Sequence, residues 1–267
     1  MATIPSPPRL LEAEAEINYP TGDGAPVGKT PLHRDNLLIA VKTLERHFAD
    51  QPLVYVSGNM FVYYEKGNRR KHVSPDVFVA VGVPKNLPNK KRRKAYYVWL
   101  EPHGPDIVIE MTSQSTRDED VDDKMSIYQD EMPVPEYFLF DPEAEYLDPP
   151  LQGHRLREGK YVPIEMVQGR LPSEVLGLHL EGDGEWLRFY NPATGRWILT
   201  PDELLLEEQT LRKRAEAERK HAEAERKRAE TERKRLADEL QASTGEVERL
   251  RQELEEWRRR GKQPGGP

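Results

Sequence analysis

Residues 106–111 read DIVIEM, and this run decides the fold. It is apolar without alternation, as expected of a strand buried on both faces at the centre of a sheet. Yet it carries Glu110, and an ionised carboxylate in such a place is costly unless it is paired or bound to a cation.

Upstream, SPDVFVAVG at 74–82 forms a second strand. Side chains alternate across a strand, so Val77, Val79 and Val81 share one face and Asp76 lies on the other with Phe78 and Ala80. LVYVS at 53–57 and MFVYY at 60–64 are further strand-like runs, with Gly58-Asn59 and Gly67-Asn68 as turn signals. Leu37, Leu38, Val41, Leu44 and Phe48 recur at helical spacing and predict an amphipathic helix from about Pro31.

Downstream, residues 113–132 predict a helix in which Thr116 and Glu119 match a capping box and Asp118, Glu119 and Asp120 favour the positive end of the helix dipole. Lys124 falls in the stripe of Val121, Met125 and Tyr128, facing the core. EYFLFDP at 136–142 is the next strand, and shorter strands follow through GKYVPIEM, VLGLHL and EWLRFYNPATGRWILT, with a hairpin turn at Asn191–Gly195. The expected fold is an α/β domain with a mixed central sheet and flanking helices over 31–200. A loose arm over 1–30, a charged heptad-repeat helix or coiled coil over 201–260 and a disordered end over 261–267 complete the chain.

The tail repeats AEAERKH, AEAERKR and AETERKR from 215, 222 and 229, followed by Leu236, Leu240, Val247 and Leu254. It reads equally as a coiled coil and as a solvated helix held by pairs such as Glu216 with Lys220. Leu236 to Trp257 is its better dimerisation stretch, and a homo-oligomer through residues 204–257 is an expected assembly.

The chain has no cysteine, which excludes disulfides, thiolate metal sites and a cysteine nucleophile. Nothing reads as a leader peptide or as a run of about eighteen apolar residues, so a soluble, cytoplasmic protein is expected. The net charge is −7, and residues 201–267 hold 17 basic and 17 acidic side chains, leaving 23 basic against 30 acidic in 1–200. The folded domain therefore carries the acidic excess, which counts against strong nonspecific binding of nucleic acid.

Two carboxylates on neighbouring strands, Asp76 and Glu110, make a site for a hard cation such as Mg²⁺ or Mn²⁺. A nearby Lys124 ammonium could orient or deprotonate water and offset phosphoryl charge, the minimum equipment for cutting a phosphodiester. Each residue has a plain alternative: Asp76 as a turn residue, Glu110 in a structural ion pair, Lys124 paired with Asp120 and reaching to solvent. Taken together, in strand, strand, helix order, they favour the site.

SPDVFVAVG, DIVIEMTSQST, TRDEDVDDKMSIYQ and PEYFLFDP in this order resemble the Uma-two family, placed in the PD-(D/E)XK restriction-endonuclease-like superfamily. The resemblance spans about residues 31–200. It implies a restriction-endonuclease-like core and a metal-dependent endonuclease acting on DNA, with Asp76 and Glu110 as metal ligands and Lys124 as the lysine, moved from its usual strand position, where Thr112 stands, to the helix. Candidate nucleic-acid contacts are Lys90, Lys91, Arg92, Arg93, Lys94, Arg69, Arg70, Lys71, Ser113 and Gln114. By the resemblance the first helix lies beside the active site, which makes His33 a candidate site residue, but it reads first as a capping or surface residue; Ser113 and Gln114 read equally as helix caps, and Asp141 as a strand-ending turn acid. The rival reading is a catalytically silent nuclease fold that acts as an oligomeric binding or scaffold module through its tail.

Overall fold

The computed structural model describes residues 19–22, 30–87 and 92–260. The chain divides into two compact units, Met1–Leu204 and Leu205–Pro267.

In the first unit, helix α1 (Pro31–His47) starts at Thr30, whose hydroxyl accepts from the His33 amide, with a proline in its first turn where no amide is needed. Its buried face is His33, Asn36, Leu37, Ala40, Thr43 and Leu44, while Leu38 is exposed. The strands are β1 (Val54–Ser57), β2 (Val62–Tyr63), β3 (His72–Val73), β4 (Val77–Val81), β5 (Tyr96–Tyr97), β6 (Ile107–Met111), β7 (Glu136–Phe140), β8 (Leu151–Arg157), β9 (Lys160–Pro163), β10 (Leu171–Ser173), β11 (Leu178–Asp183), β12 (Trp186–Asn191) and β13 (Arg196–Trp197).

Six strands form the main sheet in the order β1-β4-β6-β7-β8-β9, with β6 and β7 parallel and the other neighbours antiparallel. The mixed α/β fold expected from DIVIEM is present, and β6 is an interior strand. On one face, Val77, Val79, Ile107, Ile109, Phe138 and Phe140 pack with Ala40 and Leu44 of α1 and with Leu178, Leu180, Leu187 and Phe189 of the sheet β10-β11-β12-β13. On the other face, Phe78, Ala80, Val108, Tyr137 and Leu139 pack with Tyr128, Met132 and Val134. Burying each large side chain contributes roughly 1.5–3 kcal/mol. These two clusters clamp β4 and β6 from both sides.

The crossover between β6 and β7 contains helical segments Glu119–Lys124 and Ile127–Glu131, wound wider than an α-helix. The Met132 amide, for example, bonds the Ile127 carbonyl five residues back. The expected capping box is not formed: the Thr116 hydroxyl accepts from the Ser113 amide, and the Ser113 carbonyl accepts from Thr116 and Arg117. A turn over residues 114–116 leads into a helix that starts at Arg117, directly after Thr116, with the Asp120 amide bonded to the Thr116 carbonyl.

Strand β8 was not expected from its polar sequence QGHRLR. Gly153 lets it close on its neighbours, because a Cβ there would lie 2.8 Å from Phe138 Cε1. The hairpin turn at Asn191–Gly195 is present, its Gly195 amide bonded to the Asn191 carbonyl. Asp141 also behaves as expected, accepting from the amides of Glu143, Tyr146 and Leu147.

Most of the expected loose arm and all of 261–267 lie outside the described residues. Residues 19–22 correct the expectation locally. The Tyr63 hydroxyl donates to the Pro20 carbonyl at 2.6 Å, the Gly67 amide to the Tyr19 hydroxyl at 2.8 Å, and the Tyr19 ring meets Tyr63, Tyr97 and Trp99. Helix α2 (Pro201–Arg260) starts in the first unit and accounts for the described part of the second, where it is exposed at every residue from 205 to 259.

Gly58 brings the turn after β1 against the chain entering β4. A Cβ on it would sit 2.1 Å from the Asp76 carbonyl oxygen, a backbone atom that cannot swing aside. Gly58→Ala should therefore cost about 1–3 kcal/mol and lower the thermal midpoint by roughly 5–10 °C. An unchanged midpoint in scanning calorimetry would contradict this close approach.

Candidate active site

Antiparallel pairing of β4 with β6 sets Val77 opposite Ile109 and Phe78 opposite Val108. Continuing that register by one residue brings Asp76 opposite Glu110, on the face shared with Phe78 and Val108. The Asp76 amide donates to Glu110 Oε2 at 3.2 Å, and the Met111 amide donates to Asp76 Oδ2 at 2.8 Å. The two acids are thus held by each other's strands.

The crossover supplies the rest. Asp120, Lys124 and Tyr128, four residues apart, form one row facing the sheet. Lys124 Nζ lies 3.1 Å from Glu110 Oε2 and 2.8 Å from Asp120 Oδ1, and the Tyr128 hydroxyl donates to Glu110 Oε1 at 2.7 Å. The structure therefore brings Asp76, Glu110 and Lys124 together, and Lys124 makes its Asp120 pair as well as its Glu110 pair. Lys124 does not reach freely into solvent, since its side chain is only 12% exposed.

Burial, reinforced by Asp76 and Asp120, pushes the Glu110 carboxyl up to about 8 in spite of Lys124 and Tyr128. Asp120 is raised by burial against the opposing pull of Lys124. Burial alone would lower Lys124, but Glu110, Asp120 and Asp76 outweigh it and lift the ammonium above its usual range. At neutral pH Lys124 is consequently a fixed cation, suited to orienting water and stabilising negative charge. Asp120 Oδ2 is buried without a hydrogen-bond partner, although the Thr116 hydroxyl beside it helps hold the Asp120 carboxyl down. The site thus holds more carboxylate oxygen than its ammonium satisfies.

His33 corrects the sequence reading. Thr30 is the cap, and His33 is buried with Nε2 3.0 Å from Asp76 Oδ1. Its four-residue spacing to Leu37 on the apolar stripe was the available signal. Asp120 and Tyr128 were signalled in the same way by their spacing from Lys124.

Beside Lys124 opens a cleft of about 570 Å³, walled by Phe61, His72 and Ser74 on one side and by Glu119, Asp123 and Ile127 on the other. Arg69 and Arg70 are exposed just before His72, whereas Lys71 pairs with Glu131 at 2.5 Å and lies 5.5 Å from the Tyr64 ring centre. Lys90 and Lys91 fall outside the described residues; Arg92 and Lys94 are exposed. Arg93 corrects the phosphate-contact reading. Its side chain is 3% exposed, paired with Glu101 at 2.6 Å and stacked over Tyr55, so its charge serves the interior. Ser113 is buried in the helix-start turn and Gln114 is exposed.

Among the described residues no three acidic or imidazole side chains form a ready-made metal cluster. The donor chemistry nonetheless fits a hard cation that keeps most of its waters. Asp76 and Glu110 lie opposite each other on adjacent strands, Asp120 has an unsatisfied oxygen, and Mg²⁺ needs only one or two carboxylates from a protein. No helix among the described residues is long and apolar enough to cross a membrane.

No curated protein matches the chain. Among solved structures, a "putative nuclease belonging to DUF820" from Anabaena variabilis is similar at 15% identity and a TM-score of 0.44, over 59% of this chain and 81% of that one. The family model Uma2, described as "Putative restriction endonuclease", matches residues 9–185, which include Asp76, Glu110, Lys124 and His33. The chain belongs to the Uma2 family of restriction-endonuclease-like proteins.

Proposed function

We propose that the first unit is a metal-dependent endonuclease that hydrolyses phosphodiester bonds in DNA. The observation that carries the reading is the meeting of two acids from adjacent strands with a buried ammonium that lies 3.1 Å from Glu110 and itself lines a cleft. DNA as substrate rests on the restriction-endonuclease description of the family.

Asp76 and Glu110 would hold Mg²⁺ or Mn²⁺, which supplies Lewis acidity at a phosphoryl oxygen and lowers the pKa of water. His33 and the Met111 amide fix the Asp76 carboxylate; Tyr128 fixes Glu110. Lys124 stays protonated, so it donates hydrogen bonds to the attacking water and offsets charge growing on the phosphoryl group, rather than acting as the base. Exposed Arg69 and Arg70, next to the cleft wall in sequence, are the best placed of the described basic residues to meet backbone phosphates.

The test is cleavage of supercoiled plasmid and single-stranded DNA with Mg²⁺, Mn²⁺ or a chelator, using wild type, Asp76→Asn and His33→Ala. Wild type should cut only with metal, Asp76→Asn should be inactive, and His33→Ala should fall by roughly 10–100-fold, as for partners that orient a metal ligand. Cleavage unaffected by the chelator or by Asp76→Asn would refute the reading. Absence of both cleavage and metal binding would instead favour a silent binding module.

A further inference from the structure

We propose that residues 236–257 join two copies of the chain as a parallel, in-register, two-stranded coiled coil. Leu236, Leu240, Val247, Leu250, Leu254 and Trp257 lie along one side of α2 at alternating three- and four-residue spacing once Ser243 is included, and they are 47–73% exposed. Leu240, Val247 and Leu254 take one core position of the heptad, and Leu236, Ser243, Leu250 and Trp257 the other. Such a seam on an otherwise charged helix remains in water unless another helix covers it.

The charges beside the seam name the occupant and its direction. In a parallel pair each residue preceding a core position faces the residue five further along the second helix. Glu246 then meets Arg251 of the second copy and Glu253 meets Arg258, twice each by symmetry. An antiparallel pair would set Glu246 and Glu253 of the two copies against each other.

The same rule ends the interface. Towards the domain, Arg219, Arg226 and Arg233 occupy the core position, and Glu218 and Glu225 would face Glu223 and Glu230 of the second copy. Those heptads stay apart as single helices, supported by internal pairs such as Lys220 with Glu216 at 2.8 Å and Lys227 with Glu223 at 2.9 Å.

The test uses the full chain in analytical ultracentrifugation over a dilution series. Wild type should be a monomer–dimer system. Glu246→Arg should raise the dissociation constant at least tenfold, and adding Arg251→Glu to it should restore the wild-type value within about threefold. Because the chain has no cysteine, Ser243→Cys reports direction unambiguously. In the parallel pair the two sulfurs face each other and oxidise to a covalent dimer; in an antiparallel pair centred on the seam they lie about 10 Å apart along the helix axis, beyond disulfide reach. A monomer at all concentrations, a larger oligomer, a dimer that survives Leu250→Glu, or a dimer that fails to cross-link would each overturn the proposal. None of these readouts depends on catalysis, so the proposed nuclease activity can fail without it.

Discussion

A Glu110→Gln chain is expected to lose metal-dependent cleavage by on the order of a thousandfold while keeping its fold. The amide keeps the shape of the carboxyl and can still accept from Tyr128, but it cannot supply an anionic ligand. The pH dependence makes the test specific. With its carboxyl pushed up to about 8, Glu110 holds a proton near neutral pH more readily than an ordinary carboxyl, so cation binding should displace protons there. Metal affinity should rise between pH 6 and 9, and calorimetry at pH 7 in two buffers of different ionisation enthalpy should show proton release that the variant lacks. Stability carries the opposite sign. Because folding raises this pKa from 4.5, its contribution is fully present below about 4.5 and is lost as pH rises through about 8. Glu110→Gln should flatten that part of the metal-free profile. Unchanged cleavage, or equal proton release in both proteins, would remove Glu110 from the site.

Lys124→Met should be the most destabilising single change in the site. It leaves Glu110 and Asp120 buried without their cation, and breaking a buried pair costs about 3–5 kcal/mol. The loss should be greatest near pH 9, where both carboxyls would have to be anions, and smaller at pH 5, where they can take up protons. Urea unfolding at the two pH values measures the difference. Millimolar Mg²⁺ should recover part of the loss near pH 9 while cleavage stays low, since a cation replaces the charge of the ammonium but not its hydrogen bonds to water. Equal loss at both pH values would mean that Lys124 acts by filling space.

The parts of this architecture that could be read from residues alone are those with strong local chemistry. Runs such as VFVAV and IVIEM admit few structures other than interior strands, and side-chain alternation then commits Asp76 and Glu110 to a face. Lys124 followed from helical spacing, although the winding of its segment did not. Strand β8 escaped because its sequence is polar and its identity comes from its neighbours, with Gly153 admitted against Phe138. His33 escaped because its burial depends on where α1 lies on the sheet, a property of tertiary packing. The commitment of Arg93 to Glu101 likewise joins residues whose pairing no local pattern announces.

The parallel pairing of β6 with β7 also governs the order in which this molecule can assemble. Ile107 lies beside Glu136, so the ladder closes only after the whole crossover has been laid down, and that closure entropy falls due before the contacts reward it. The β4–β6 ladder by itself juxtaposes the two acids, but Lys124 and Tyr128 reach them only with the crossover in place, and His33 only with α1 docked. A nascent or half-folded chain thus carries an incomplete site. Under the proposed function, DNA-cutting capacity would switch on late, with the final closures of folding, and would be among the first properties lost when the molecule begins to open.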